Sequence, residues 1–227
     1  MRFYFCVVLW FISPWLLAQD FQYAPTIAIE YPPYVTQTDA AHGESVNLFN
    51  QQLKPLGWQM HLLFLPPARA MAVTANNGDW MFSYFPPKGN IEAAAYIIEI
   101  DGIRYGFFRK NSDQPFVWQS LSELKGGRVA VIRSMTSGGD GKLLARAGMQ
   151  QVFVDKIEQG ILMLANDRVD YVLTAEGTGW YYIDRLNLDT DKFQFSDSHI
   201  RIYSHTVYYN EANPVAVDLI QSLRAKK

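Results

Sequence analysis

The stretch that most clearly combines polar side chains with a defined local structure is residues 125–147, KGGRVAVIRSMTSGGDGKLLARA. Its apolar run, 129–132, is typical of a short buried strand, and the spacing of apolar residues after Asp140 is typical of a helix. The pattern therefore predicts a strand, a polar turn and a helix. Because a helix begins with free backbone N–H groups and the positive end of its dipole, such a junction attracts an anion.

Three side chains in this stretch suit a carboxylate ligand. Thr136 and Ser137 provide hydroxyl donors in the turn, and Arg133 provides a positive charge at the end of the strand. A second interpretation stays open, because small polar residues also occupy ordinary strand-to-helix turns, and an arginine at a strand end is often merely solvated.

Aromatic and charged residues elsewhere suit the same kind of site. Tyr31, Tyr34 and Tyr84 present flat rings on which a planar or cationic ligand can stack. Arg69 lies at the start of a predicted helix, and Glu176 stands beside a glycine, where it can meet a ligand amine. Since aromatic residues make up 15% of the chain, most rings serve as core or surface cover. Arg69 and Glu176 can equally be a surface arginine and a turn carboxylate.

Patterns for catalysis are weak. The four histidines show no i, i+4 pair and have no cysteine near them, so no zinc site is expected. There is no Gly-x-Ser-x-Gly motif. The run TSGGDGKL departs from a phosphate-binding loop at both ends, because it begins with Thr136 and has Leu143 where a serine or threonine belongs. We expect no metal, no cofactor and no catalytic residue.

The amino-terminal residues MRFYFCVVLWFISPWLLAQD have the pattern of a secretory signal. Arg2 is followed by an almost wholly apolar run, 3–17, and Ala18 is a small residue suited to cleavage. An uncleaved anchor is the alternative, although the run is short for a bilayer span. We therefore predict a signal peptide over residues 1–18 and a periplasmic location.

The composition of the rest of the chain narrows the class of protein. Removal of residues 1–18 takes away Arg2 and Cys6, so the formal net charge changes from −2 to −3 and no cysteine remains. A cysteine-free exported domain is held by its core alone, which suits the bacterial periplasm. No basic run of the nucleic-acid-binding type occurs. We therefore expect no nucleic-acid partner and a monomeric protein.

Strand-length and helix-length patterns alternate twice along the chain. The order strand, helix, strand, helix, strand indicates parallel strands joined by crossover helices. The predicted strands are 26–30, 58–65, 79–85, 103–109, 129–132, 151–154, 169–174 and 206–209, and the predicted helices begin at Ser45, Ala68, Ser120, Asp140, Asp155, Trp180 and Asn213.

Two such units predict an α/β protein of two lobes, each with a mixed sheet flanked by helices. Segments 97–104 and 200–204 would cross between the lobes as a double-strand hinge. Residues 19–102 and 205–227 would form lobe one and residues 103–204 lobe two, with a ligand cleft between them.

Four stretches together resemble the extracellular solute-binding proteins of family 3, the periplasmic amino-acid-binding type that serves ABC importers. They are IAIEYPPYV, LPPARAMAVTANNGDWMFSYF, SLSELKGGRVAVIRSMTSG and LMLANDRVDYVLTAEG. Their order is that of the family, and they span nearly the whole mature chain. The resemblance implies the two-lobed periplasmic binding protein-like fold of type II. It also implies a protein that closes on a small solute and presents it to a membrane permease.

The same resemblance implies roles for individual residues. Tyr31 and Tyr34 would line the lobe-one side of the cleft, and Tyr84 would lie just past the third strand. Thr136 would bind the ligand carboxylate from lobe two, and Glu176 would meet the ligand amino group.

One residue that the resemblance leads us to expect is missing. The family's carboxylate-binding arginine after the third strand has no counterpart, since that region reads PPKGNIEAA and its nearest cation is Lys88. A lysine is a point charge and lacks the two parallel donors of an arginine. The identity of the solute therefore stays open.

Two further functions stay open as well. A small lyase or dehydratase on the same fold would need an acid/base pair in the cleft, for which Glu176 with Lys88 or Arg133 is the only pair we can name. A ligand-sensing module would bind its solute in the same way but contact a membrane receptor.

Overall fold

Each half of the molecule is a layer of strands covered by helices. The structure, a computed structural model, describes residues 21–76, 78–87, 94–133 and 139–226, with the backbone alone at residues 100 and 101. No helix within these ranges is long and apolar enough to cross a membrane. The strands are β1 (Gln22–Ala28), β2 (Trp58–Phe64), β3 (Phe82–Ser83), β4 (Ala95–Lys110), β5 (Arg128–Ile132), β6 (Gln150–Val154), β7 (Tyr171–Ala175), β8 (Phe193–Phe195) and β9 (Arg201–Tyr209). The α-helices are α1 (Glu44–Leu53), α2 (Pro67–Thr74), α3 (Gly139–Arg146), α4 (Ile157–Ala165), α5 (Glu176–Arg185) and α6 (Pro214–Arg224).

The described strands form one mixed sheet in the order β2-β1-β3-β9-β4-β7-β5-β6, with β8 paired to β4. β1 is parallel to β2 and β3, and β5 is parallel to β6 and β7, as the alternating pattern predicts. The predicted α/β class with mixed strand directions and flanking helices is confirmed, but the two separate sheets that were predicted are one sheet. The two halves nevertheless form a continuous ladder, because the long antiparallel strands β4 and β9 belong to both.

The pairing of β4 with β9 is irregular where the two halves meet. The register shifts between Ile97 and Glu99 and again between Glu99 and Ile103. Both shifts lie within the predicted crossing segment 97–104. Such irregularities bend and twist a strand, which curls the sheet between its two halves.

Separate hydrophobic clusters lie on either side of this crossing. Phe49 and Phe82 belong to a cluster whose buried residues all fall in predicted lobe one. Phe107 and Phe108 point to opposite faces of β4, as successive strand residues do. They belong to two clusters whose buried residues all fall in predicted lobe two. The lobe boundaries themselves remain a prediction.

Most predicted elements are present, and the differences lie at their ends. The helix expected from Trp180 begins earlier, at Glu176. It packs closely on β4 because Gly179 has no side chain; a Cβ there would lie 2.0 Å from the Phe108 ring. The third strand is only two residues long. The helix predicted to begin at Ser120 is a short 3₁₀ turn, which Ser120 and Glu123 cap reciprocally.

Two predicted helix caps are wrong. Ser45 was expected to cap α1, but it lies inside the helix, which begins at Glu44. Asp155 was expected to cap α4, but Lys156 occupies that position. From the first turn of the helix, Oε1 of Gln159 accepts from the backbone N–H groups of residues 155 and 156, which lie just before it.

Candidate functional site

The loop that follows β1 is held in place by the amino terminus of α1. The backbone N–H groups of Glu44 and Ser45 donate to the carbonyls of Pro33 and Tyr34, each at 3.0 Å. These donors are available because the first turn of a helix has no internal acceptors for them. Gly43 has a φ of 99°, and a Cβ there would lie 2.5 Å from the Tyr34 carbonyl oxygen, so only glycine fits. Local backbone geometry therefore fixes the position of Tyr34.

Four tyrosines, Tyr31, Tyr34, Tyr105 and Tyr203, form a cluster where this loop meets the second half of the molecule. The hydroxyl of Tyr31 pairs with that of Tyr203. Ring centroids are 5.5 Å apart for Tyr31 and Tyr34, and 6.1 Å apart for Tyr105 and Tyr203. Burial raises the pKa of Tyr31, Tyr105 and Tyr203, and raises the pKa of Tyr34 to about 12. At neutral pH this tyrosine cluster is uncharged and acts through hydroxyl groups and ring faces.

An arginine–aspartate pair lies beside the tyrosine cluster. Nη1 and Nη2 of Arg201 donate to Oδ1 and Oδ2 of Asp140 at 2.8 and 2.7 Å. The guanidinium also lies 4.6 Å from the ring centroid of Tyr105, whose hydroxyl is 3.4 Å from Asp140 Oδ2. Hydrogen bonding to Asp140 raises the pKa of Arg201. The pair therefore holds a fixed positive group next to neutral phenols.

The amino terminus of α5 closes the other side of the cluster. Glu176 is the first residue of this helix and forms an ion pair with Arg104, and a negative charge is favourable there. A Cβ on Gly177 would lie 2.6 Å from the Tyr34 hydroxyl oxygen. The glycine thus lets this phenol approach the helix backbone.

Two further polar contacts lie near this loop, one between the halves and one within the first half. Thr38 Oγ1 lies 2.9 Å from the hydroxyl of Tyr181, at the far end of the same loop. Ser45 Oγ lies 2.6 Å from Nδ1 of the buried His205 on β9. The ring of His205 is also 5.4 Å from that of Tyr34. The loop after β1 therefore contacts the second half through Tyr31, Tyr34 and Thr38.

Three of the predicted site residues come together here: Tyr31, Tyr34 and Glu176. Tyr84 follows β3 as expected, but its hydroxyl donates to the backbone carbonyl of Ser45 at 3.0 Å. Burial raises the pKa of Tyr84. Its phenol is thus engaged in packing β3 against α1.

The other predicted site residues lie elsewhere or outside the described chain. Arg69 is exposed on α2. Arg133 is exposed, with Nε 3.3 Å from Asp155 Oδ1 and its guanidinium 5.8 Å from the ring of Phe153. Lys88, Thr136 and Ser137 lie outside the described residues. The ligand-binding roles of all five remain predictions.

The sequence reasoning missed Arg104, Tyr105, Asp140, Arg201 and Tyr203 as site residues. The sequence did contain a signal for these residues. The two crossing segments were predicted, and alternate residues of a strand lie on the same face. Tyr105 pairs directly with Arg201. Period-two alternation places Tyr203 on the same face as Arg201. What the sequence did not show was the pairing register, which sets these side chains next to each other.

Comparison of the sequence with protein-family models and with curated proteins finds no match. Solved structures, in contrast, match along most of the chain. Truncated arginine-bound ArgBP from T. maritima has a TM-score of 0.66 at 14% identity, over 90% of this chain and 95% of that one. The GluR0 ligand-binding core from Nostoc punctiforme, in complex with L-glutamate, has a TM-score of 0.65 at 15% identity, over 89% and 92%. The substrate-binding protein of an amino acid ABC transporter has a TM-score of 0.63 at 14% identity, over 90% and 92%.

The chain shares the fold of amino-acid-binding proteins. The fold that the four resembling stretches implied is therefore confirmed. The similar structures named above are binding proteins, and their low identities make the likeness one of fold.

Proposed function

We propose that the protein is an exported solute-binding protein that captures a small polar solute between two lobes. The solute would be an amino acid or another small organic ion, handed to the permease of an ABC importer. Residues 19–102 and 205–227 would form one lobe and residues 103–204 the other. Export would follow from a signal peptide over residues 1–18, and the mature protein would act as a periplasmic monomer without a cofactor.

This proposal rests mainly on one observation: the carboxyl ends of β1 and β7, which belong to different halves, lie close together. The loop after β1 brings Tyr34 to the amino terminus of α5, directly after β7. In open α/β sheets, ligands bind outside the carboxyl ends of the strands. Both ends here carry polar and aromatic side chains. Separate cores on the two sides allow each half to move as a unit.

The fold and this junction also bear on the two alternatives. A lyase would need a carboxylate at liberty to exchange a proton, but Glu176 is engaged by Arg104. A sensory receptor partner would use the same ligand site, and the GluR0 core has the same fold. We favour solute binding over catalysis and keep a receptor as the alternative partner.

Titration calorimetry on the mature chain, unfolded and refolded to remove co-purified solute, tests the proposal. The titrants would be amino acids, amines, small carboxylates and short peptides, guided by mass spectrometry of what co-purifies. We expect one titrant to bind at a ratio of about one to one, without being consumed. Absence of any binder, or turnover of the bound compound, would contradict the proposal.

A matched pair of variants ties binding to the junction. Tyr34→Ala removes a ring from the tyrosine cluster, so affinity should fall by about tenfold or more. Tyr23→Ala removes a ring that is 64% exposed on β1, away from the cluster, and should leave the affinity unchanged. Equal losses in the two variants would place the ligand elsewhere.

A further inference from the structure

Arg201 is fixed beside the tyrosine cluster with part of its donor capacity unused. Its bidentate bond to Asp140 occupies one N–H on each of Nη1 and Nη2. A guanidinium has five N–H donors in a rigid plane, so the Nε–H and one outer N–H of Nη2 still lie side by side. Among the residues that the structure describes, neither of these two donors has a partner.

This side-on pair of donors has the geometry that binds a carboxylate. The same protein shows it at Arg128, whose Nε and Nη2 lie 3.1 and 2.8 Å from Oδ2 and Oδ1 of Asp170. The Arg201 side chain is 46% exposed, whereas that of Asp140 is 12% exposed. The arginine side chain therefore keeps contact with solvent although its aspartate partner is largely buried.

The surroundings of Arg201 hold the guanidinium plane in one orientation. Asp140 binds it edge-on, and Tyr105 lies 4.6 Å from it across its face. An arginine that is already ordered loses less side-chain entropy when it binds a ligand. Tyr203, two residues along β9 on the same face, connects this position to Tyr31 of the loop after β1.

We propose that Arg201 is the carboxylate-binding residue of the solute site, so that the solute is a carboxylic acid held side-on by Nε and Nη2. This inference rests on the proposed function. Arg201 would replace the arginine that the sequence lacks after β3, from a strand that crosses between the halves. Asp140 would act as a positioning residue, because it orients the guanidinium without contacting the solute.

Calorimetry with pairs of compounds tests the class of ligand. The probes are the standard amino acids, succinate and glutarate, each beside its carboxamide counterpart, titrated into the full mature chain. We expect at least one acid to bind and its amide to bind about 10- to 100-fold more weakly, as for the loss of a charged hydrogen-bonded pair. An amide that binds as tightly as its acid would overturn the assignment to a carboxylate.

Substitutions of Arg201 test whether this residue binds the carboxylate. Arg201→Lys keeps the charge but loses the fork, and Arg201→Gln loses both, so affinity should fall by about tenfold and about 100-fold. The double variant Arg201→Gln/Asp140→Asn leaves no unpaired aspartate and should show the same loss with a melting temperature close to that of the wild type. Arg128→Gln breaks a similar bidentate pair at the start of β5 and should bind as the wild type does.

Asp140→Asn tests the side-on geometry. If Asp140 only orients the guanidinium, affinity should fall several-fold, whereas tighter binding would mean that Asp140 competes with the solute and that our geometry is wrong. If the wild type binds an acid and the Arg201 variants bind it equally well, this inference fails while the proposed function stands. If the wild type binds no probe, both fail.

Discussion

Buried phenols are the most distinctive residues of the junction between the halves. A tyrosine that is removed from water keeps its proton more tightly, because burial penalises the phenolate. This applies to the tyrosine cluster and also to Tyr182 on α5, where burial raises the pKa to about 12. The folded chain therefore binds protons at alkaline pH that the unfolded chain releases.

The raised pKa values predict an alkaline loss of stability. The unfolded phenols ionise near pH 10, and those of Tyr34 and Tyr182 near pH 12 in the folded chain, so their contribution to the free energy of unfolding should be constant below about pH 10. It should then fall as the pH rises towards about 12. Urea denaturation at a series of pH values measures this slope.

Replacement by phenylalanine isolates the contribution of one phenol. Tyr182→Phe cannot ionise, so its free energy of unfolding should fall less steeply over the same pH range than that of the wild type. Equal slopes in the two proteins would show that Tyr182 does not contribute to the alkaline transition.

For individual helices, the sequence predicted the first residue correctly where the stabilising contact is between residues close together in the chain. Asn213 and Pro214 predicted the start of α6, and the Asn213 side chain accepts from the N–H of Ala216 at 3.1 Å. The predicted start of α4 was one residue too early, and Asp155 instead pairs with Arg133, which is distant in sequence. A cap is predictable from sequence when no tertiary partner competes for it.

Asn213 offers a direct test of a local stabilising contact. Asn213→Ala leaves an N–H group of the first turn without its side-chain acceptor, which should lower the free energy of unfolding by about 1 kcal/mol. For a chain of this size the melting temperature should fall by about 2–4 °C. Asn213→Ser keeps an acceptor and should retain most of the stability; equal destabilisation by both substitutions would contradict the capping role.

The whole molecule shows which parts of the site lay beyond sequence reasoning. The alternation of strands and helices predicted the α/β class and the crossing segments, because these depend on periodicity. The contact of Tyr31 with Tyr203 joins residues far apart in the chain, and the Arg201–Asp140 pair joins β9 to α3. Such contacts depend on strand register across the crossing, which no local pattern encodes.

The contacts between the halves predict that this arrangement can be loosened without unfolding either half. Tyr203→Phe removes one hydroxyl of the pair with Tyr31, and a single hydrogen bond contributes about 0.5–1.5 kcal/mol. Amide hydrogen exchange over residues 31–38 and 176–181 should therefore become about 2- to 10-fold faster, while β5 and β7 keep their protection. Exchange followed by mass spectrometry measures both regions in one experiment.

Tyr23→Phe is the matched control for this prediction. It removes the same hydroxyl from a side chain that is 64% exposed on β1, so exchange should stay at wild-type rates in both regions. If Tyr203→Phe accelerated exchange evenly over the whole chain, the hydroxyl pair would stabilise the fold as a unit instead of the contact between the halves. Faster exchange in these two regions alone would show that the tyrosine pair stabilises the contact between the halves and not the core of either half. A protein that opens and closes on a solute needs a contact of this kind.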